Sequence, residues 1–317
     1  MSLPAVRGHD ATWARLTALL DADRLAHALL LLGPPGVGKA LVARRLAARL
    51  CCAAGAAAPC GECGGCRQVQ AGTHPDLLAI GAPGKTKKDA RKKEIGIEQA
   101  RALKRFAQLR PVAAARKIAI VDDADRLSIA AQNALLKTLE EPPGQALLML
   151  VTASPGALLS TVRSRCQRVA FRPLPADDVA AVLRDAGLAA TEAAALAATA
   201  DGSPGRALGL RASWQDADRD EVLGALAALQ GGRYASVLAM SQTLGKTEQD
   251  TAARLDGLLA ACHAHATDAA ARGESAALAA ALERAAAVAE TLATLRRRNP
   301  NRALLTEALA LRLARAR

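Results

Sequence analysis

Ala28-Leu29-Leu30-Leu31-Leu32-Gly33-Pro34-Pro35-Gly36-Val37-Gly38-Lys39-Ala40 runs from a short apolar segment through a glycine-rich turn into a stretch of helix formers. A strand that feeds a helix through such a turn is the context a phosphate-binding loop requires. Its glycines let backbone amides turn onto phosphate oxygens, the helix N-terminus adds partial positive charge, and Lys39 reaches the terminal phosphates. The last position of the pattern departs from it. A hydroxyl there would ligate Mg²⁺, and Ala40 offers a methyl. The residues therefore favour a relic or a weak binder over a working nucleotide site, and leave ATP or ADP as a bound cofactor open.

Working outward, apolar runs recur at 77–80, 118–121, 147–151 and 168–171, with helix-forming stretches at 40–50, 98–109 and 129–140 between them. Continuous apolar runs suit a parallel sheet covered on both faces, and the alternation predicts an α/β domain. Pro142-Pro143 stops the last of these helices. The run Ile118-Ala119-Ile120-Val121 ends in Asp122-Asp123-Ala124-Asp125. Asp122 is placed to hold Mg²⁺ through water. Asp123 stands where an ATPase would carry a Glu to orient the attacking water, and is shorter by about 1.5 Å. Since misplacement by about 1 Å can cost on the order of a hundredfold, Ala40 and Asp123 together predict little or no hydrolysis.

Cys60-Gly61-Glu62-Cys63-Gly64-Gly65-Cys66, with Cys51 upstream, has the spacing of a four-thiolate zinc site in a reducing compartment. The expected ligands are Cys51, Cys60, Cys63 and Cys66, with Cys52 as the alternative to Cys51. Such a site is closed and activates no water. Cys166 and Cys262 read as buried apolar residues. His263 and His265, two apart on a helix, share no face and receive no metal role.

After Arg172-Pro173-Leu174-Pro175 the strand signals stop and Ala- and Leu-rich helices continue to the end, broken at Gly202-Ser203-Pro204-Gly205 and Gly231-Gly232. The expected division is 1–172, with a zinc module at about 51–66, then a helical piece at 173–209 and a longer one at 210–317. The chain has 317 residues, with 42 Lys and Arg against 30 Asp and Glu, a net charge of +12 that favours an anionic partner. Five aromatic residues leave little on which bases could stack, so any DNA contact should be to phosphate. The segment 85–93 holds six positive charges in nine residues and is read as a solvated loop, with DNA phosphate or an acidic partner as the other possibility. No apolar run approaches the ~18 residues of a membrane span, and Met1–Asp10 carries no export pattern, so a cytoplasmic protein is expected.

The loop 33–39, the cysteine insertion after the first helix, Gln70-Ala71-Gly72-Thr73-His74-Pro75-Asp76, Asn133 to Pro143 and Ser164-Arg165-Cys166 together resemble the bacterial clamp-loader branch of the AAA+ superfamily. The likeness is dense over 23–172 and thinner afterward, at Gly202 to Leu208 and Asn299 to Leu311. It implies a RecA-like AAA+ domain, a helical lid and a helical collar that joins subunits into an open pentameric ring. It also implies sibling ATPase and delta-type subunits as partners, a sliding clamp loaded onto primed DNA, and a nucleoid-associated place in the DNA polymerase III holoenzyme. In that family the Arg of Ser-Arg-Cys reaches the ATP of the adjacent subunit, so Arg165 is the expected finger acting in trans, with local pairing to an acidic side chain as the bland alternative. Thr152 matches the family's polar sensor site loosely, Gly205 falls where ATPase siblings carry a second sensor Arg, and Arg206 is given no role. Two rivals remain: an autonomous AAA+ ATPase, which calls for a hydroxyl at 40 and Glu at 123, and a zinc-dependent DNA-binding protein, which calls for a basic helix beside the cysteines. Neither feature is present.

Overall fold

The computed structural model describes residues 5–54, 59–81, 94–213, 216–229, 234–245, 248–297 and 301–315. The basic segment 85–93 lies outside them. Two compact units divide the chain, Met1–Pro175 and Ala176–Arg317.

The first unit runs α1 (Asp10–Asp21), β1 (Ala28–Leu32), α2 (Lys39–Cys51), α3 (Gly64–Ala71), β2 (Leu77–Ile80), α4 (Ile97–Gln108), β3 (Lys117–Val121), α5 (Ile129–Glu140), β4 (Ala146–Thr152), α6 (Ser160–Arg163) and β5 (Gln167–Ala170). The five strands form one parallel sheet in the order β2-β3-β4-β1-β5. Burial follows that order. The inner strands β3 and β4 are buried at every residue, whereas the edge strand β2 is buried only at Leu77 and β5 alternates between half-buried and exposed residues. The Val, Ile and Leu runs of the inner strands are thus explained by helices on both faces. Ala28 and Leu30, Ala119 and Val121, Leu148 and Leu150 form one core face with Ala100, Leu103 and Ala107 of α4 and Leu135 and Leu139 of α5. The alternate residues Leu29, Leu31, Ile118, Ile120, Leu147 and Met149 are buried on the other face. There α2, which contributes nothing to the first core, packs on β3 and β4.

Caps set the helix bounds where propensity does not. The Ser128 hydroxyl accepts the Ala131 N–H at 3.1 Å and opens α5, and the Gln99 side chain accepts the Gly96 N–H at 2.9 Å before α4. Buried charge is paired: Lys117 and Asp76, both inside the sheet's base, meet at 2.8 Å. Asp76 also accepts the amides of Val112, Ala113 and Ala114 at 2.7–3.0 Å.

The second unit is all helical: α7 (Ala176–Asp185), α8 (Ala190–Thr199), α9 (Pro204–Ser213), α10 (Asp216–Leu229), α11 (Tyr234–Leu244), α12 (Glu248–Arg272), α13 (Ser275–Arg297) and α14 (Arg302–Arg315). Met240, Leu244, Leu255, Leu258, Val288 and Leu309 lie in its core. The boundary between the two units follows the run Arg172-Pro173-Leu174-Pro175, and within the helical unit α12 packs on α8 and α9.

Candidate functional site

The loop 33–38 leaves the carboxyl end of β1, the edge of an open parallel sheet at which ligands bind. Gly33, Gly36 and Gly38 have φ of 155°, 73° and 103°. A Cβ on Gly33 would lie 2.4 Å from the Phe171 carbonyl oxygen, so only glycine fits there. Gly38 caps α2 without a side-chain partner for the helix amides, which leaves that end open to an anion. Lys39 is buried and donates to the Gly33 and Pro34 carbonyls at 2.7 and 2.6 Å. Burial pushes its ammonium below the ordinary lysine range, against the pull of Asp122, Asp125 and Asp123. His9 supports the loop from outside the motif: its Nε2 donates to the Val37 carbonyl at 2.8 Å and its ring meets Phe171 edge-on at 4.8 Å.

A cavity of ≈ 330 Å³ opens on this loop and is walled by Gly36, Lys39, Ala40, Asp122, Asp123 and Thr152 among others. Leu32 and Thr152 are register partners on β1 and β4, and Asp122 follows β3, so three strand ends converge there. Burial and the neighbouring Asp123 push the Asp122 carboxyl up, opposed by the Asp123 N–H, Arg44 and Lys39. Asp123 takes a left-handed backbone, φ 50°, and its carboxylate lies 3.7 Å from Arg126. The Thr152 hydroxyl donates to Asp125 Oδ1 at 2.7 Å and accepts the Ser154 N–H at 3.0 Å. Its one hydrogen is therefore already engaged. The cavity offers amides and an ammonium for a phosphate, a carboxylate for a metal, and no hydroxyl at residue 40.

The cysteine module forms where α2 ends. The sulfurs of Cys52, Cys60, Cys63 and Cys66 all lie within 4.8 Å of one another. Cys52–Cys60, Cys52–Cys63 and Cys60–Cys66 are 3.6, 3.9 and 4.0 Å apart. A tetrahedral ion with Zn–S bonds of about 2.3 Å sets its sulfurs about 3.8 Å apart, so the donor set fits. The amides of Cys63 and Cys66 donate to the sulfurs of Cys60 and Cys63, each at 3.4 Å, which favours the thiolates. A Cβ on Gly65 would fall 2.0 Å from the Cys51 carbonyl oxygen, so the close return of the chain onto α2 depends on glycine.

Cys51, expected as the fourth ligand, is not in the group. It is the last residue of α2 and is buried, with its sulfur 3.7 Å from His74 Nδ1, and burial pushes its thiol up to about 12. Cys52 leaves the helix in an extended conformation, φ −77° and ψ 126°, and joins the other three. The assignment is corrected to Cys52.

Arg165 sits in the turn between α6 and β5, outside the cavity wall. Its Nη1 donates to the Thr161 carbonyl at 2.9 Å, and its Nη2 lies 2.6 Å from Glu140 Oε1. The next residue, Cys166, is buried in the core, as expected.

Residues 8–175 match the family described as DNA polymerase III, delta subunit. The chain belongs to this family. It is 39% identical over 167 residues to DNA polymerase III subunit delta′ of Pseudomonas aeruginosa, covering 52% of this chain and 48% of that protein. It is 36% identical over 231 residues to subunit delta′ of Escherichia coli, covering 71% and 66%. With subunit tau of E. coli it shares 38% over 168 residues, covering 52% and 25%. The first of these alignments spans about half the relative's length. The family and its delta′ members bear out the resemblance read from the motifs.

Within this family member the structure gathers Gly36, Gly38, Lys39, Asp122 and Thr152 at one cavity and four of five clustered cysteines at another place, and it sets Arg165 apart from both. Sequence reading missed His9, which acts across 28 residues through one hydrogen bond and carries no local signal. It also missed Gln132, buried on α5, whose amide donates to the Leu127 and Ala157 carbonyls at 3.0 and 3.2 Å and accepts the Leu159 N–H at 2.7 Å. A polar residue three positions before Leu135 on the core face was the available signal. No helix of the described residues is long and apolar enough to cross a membrane.

Proposed function

We propose that this chain is a delta′-type subunit of a bacterial DNA polymerase III clamp loader, one of five in an open ring that loads the sliding clamp onto primed DNA. It contributes ring assembly and Arg165, which acts on ATP held by the next subunit, and does not hydrolyse ATP itself. The observation that carries the reading is Ala40: the loop keeps its glycines and Lys39 but presents a methyl where a metal-ligating hydroxyl belongs. Asp123, short of a Glu and turned toward Arg126, supports it. An Arg fork can stabilise charge on a transferring phosphoryl group without a working site of its own. An autonomous AAA+ ATPase is the alternative reading, which the same two positions oppose.

Cys52, Cys60, Cys63 and Cys66 would hold a structural zinc ion. Four thiolates close its coordination shell, so the ion supplies a cross-link and no reaction. Purification of the tagged chain from its native cell, followed by mass spectrometry, tests the function. Recovery of ATPase siblings and a delta-type subunit is expected; recovery of the chain alone under conditions that preserve complexes would contradict it.

A further inference from the structure

We propose that Glu140 is a positioning residue that holds Arg165 against its own subunit and yields it to the charge that develops on a neighbour's phosphoryl group during transfer. The inference rests on the reading of Arg165 as a finger acting in trans. Both terminal nitrogens of the guanidinium are engaged locally, Nη2 with Glu140 Oε1 at 2.6 Å and Nη1 with the Thr161 carbonyl at 2.9 Å. A bidentate grip on phosphate needs two adjacent N–H donors, so the finger must exchange at least the Glu140 contact before it can act.

Glu140 is the last residue of α5, where the helix dipole disfavours an acid, and Glu141 follows it. Lys137 offsets the dipole within the last turn, and the cation paired directly with the Glu140 carboxylate is Arg165. The same helix fixes the base of the finger. Gln132 ties α5 to Ala157 and Leu159, immediately before α6, and Arg165 lies in the turn that follows α6. The helix that ends in the carboxylate is therefore anchored to the segment that leads to the guanidinium.

The strength of the pair suits a hold that yields. Its side chains are 35% and 46% exposed, and pairs of this exposure bias a population by about fivefold at most. The charge spread over a transferring phosphoryl group, greater than that of one carboxylate, can outcompete it.

The test compares four reconstituted complexes, with wild-type chain, Glu140→Gln, Arg165→Ala and the double variant, in clamp- and DNA-stimulated ATP hydrolysis across ATP concentration. Melting temperature and assembly serve as folding checks. Glu140→Gln is expected to raise kcat, by up to about fivefold at the one site served and by less in the whole complex, with KM little changed, because a finger acts on transition-state charge. Glu140→Asp should lie between, and the gain should vanish in the double variant. If Arg165→Ala lowers kcat while Glu140→Gln leaves it at wild type, the hold is overturned and the finger stands. A lower kcat for Glu140→Gln would make Glu140 a presetting contact and overturn the hold. If Arg165→Ala changes nothing, the finger reading fails and takes the hold with it.

Discussion

Lys39 donates to two carbonyls of its own loop, so a phosphate arriving there must first draw the ammonium away, and no hydroxyl at residue 40 helps to seat the metal that accompanies it. The isolated chain is expected to show no DNA-stimulated ATP hydrolysis, and Ala40→Thr alone should not create it, because Asp123 and the engaged Thr152 hydroxyl remain. Turnover of several per second by either protein, in a coupled assay, would refute this. Asp76 makes a different point about single residues. Burial alone would raise its carboxyl, but Lys117 and three amides outweigh that and hold it well below the usual carboxylate range. A depressed acid stabilises the fold at pH above its unfolded value, near 4, and loses that contribution as pH falls toward its folded value. Asp76→Asn leaves Lys117 buried without its counter-charge, and such losses run to about 3–5 kcal/mol. Denaturant titration at pH 7 should show a loss of that order, and the variant should lose less than wild type below about pH 4. Equal stability at pH 7 would mean that the pair contributes nothing.

The strands and the long helices were legible because each carries its own pattern. Inner strands read as unbroken apolar runs since both faces are covered, and the ends found for β1 and α5 coincide with those expected. The cysteine module was legible as a set and illegible in one member. Cys51 and Cys52 are adjacent, and which of them meets the cluster depends on where α2 ends, a matter of one residue that no spacing encodes. Helix α3 was missed for a related reason: it opens with two glycines, poor helix formers, and is started by the Cys63 sulfur accepting the Cys66 amide. The corrected ligand set makes a sharp prediction. Freshly purified, chelator-free chain should carry one zinc by elemental analysis. Cys52→Ser and Cys63→Ser should lose it while the sheet persists by circular dichroism, whereas Cys51→Ser should retain it. Metal loss in Cys51→Ser with retention in Cys52→Ser would reverse the correction.

For the whole molecule, the sheet unit carries both the cavity and Arg165, and it is the part of the chain that the family model covers. The helical unit was legible as helical from its composition, but the packing of its helices was not, because Ala- and Leu-rich helices can pack in many ways that one sequence does not distinguish. In the function proposed above, this chain promotes hydrolysis elsewhere while performing none. Arg fingers supplied in trans are worth roughly 10³ to 10⁵ in rate at the site they serve, but a loader has several ATP sites, so the loss seen in the complex is partial. The most direct measurement is clamp- and DNA-stimulated ATP hydrolysis by a complex reconstituted with Arg165→Ala. The account predicts normal assembly and zinc content with a reduced rate that Arg165→Lys restores poorly, since an ammonium lacks the planar fork. Wild-type hydrolysis by a normally assembled Arg165→Ala complex would contradict it.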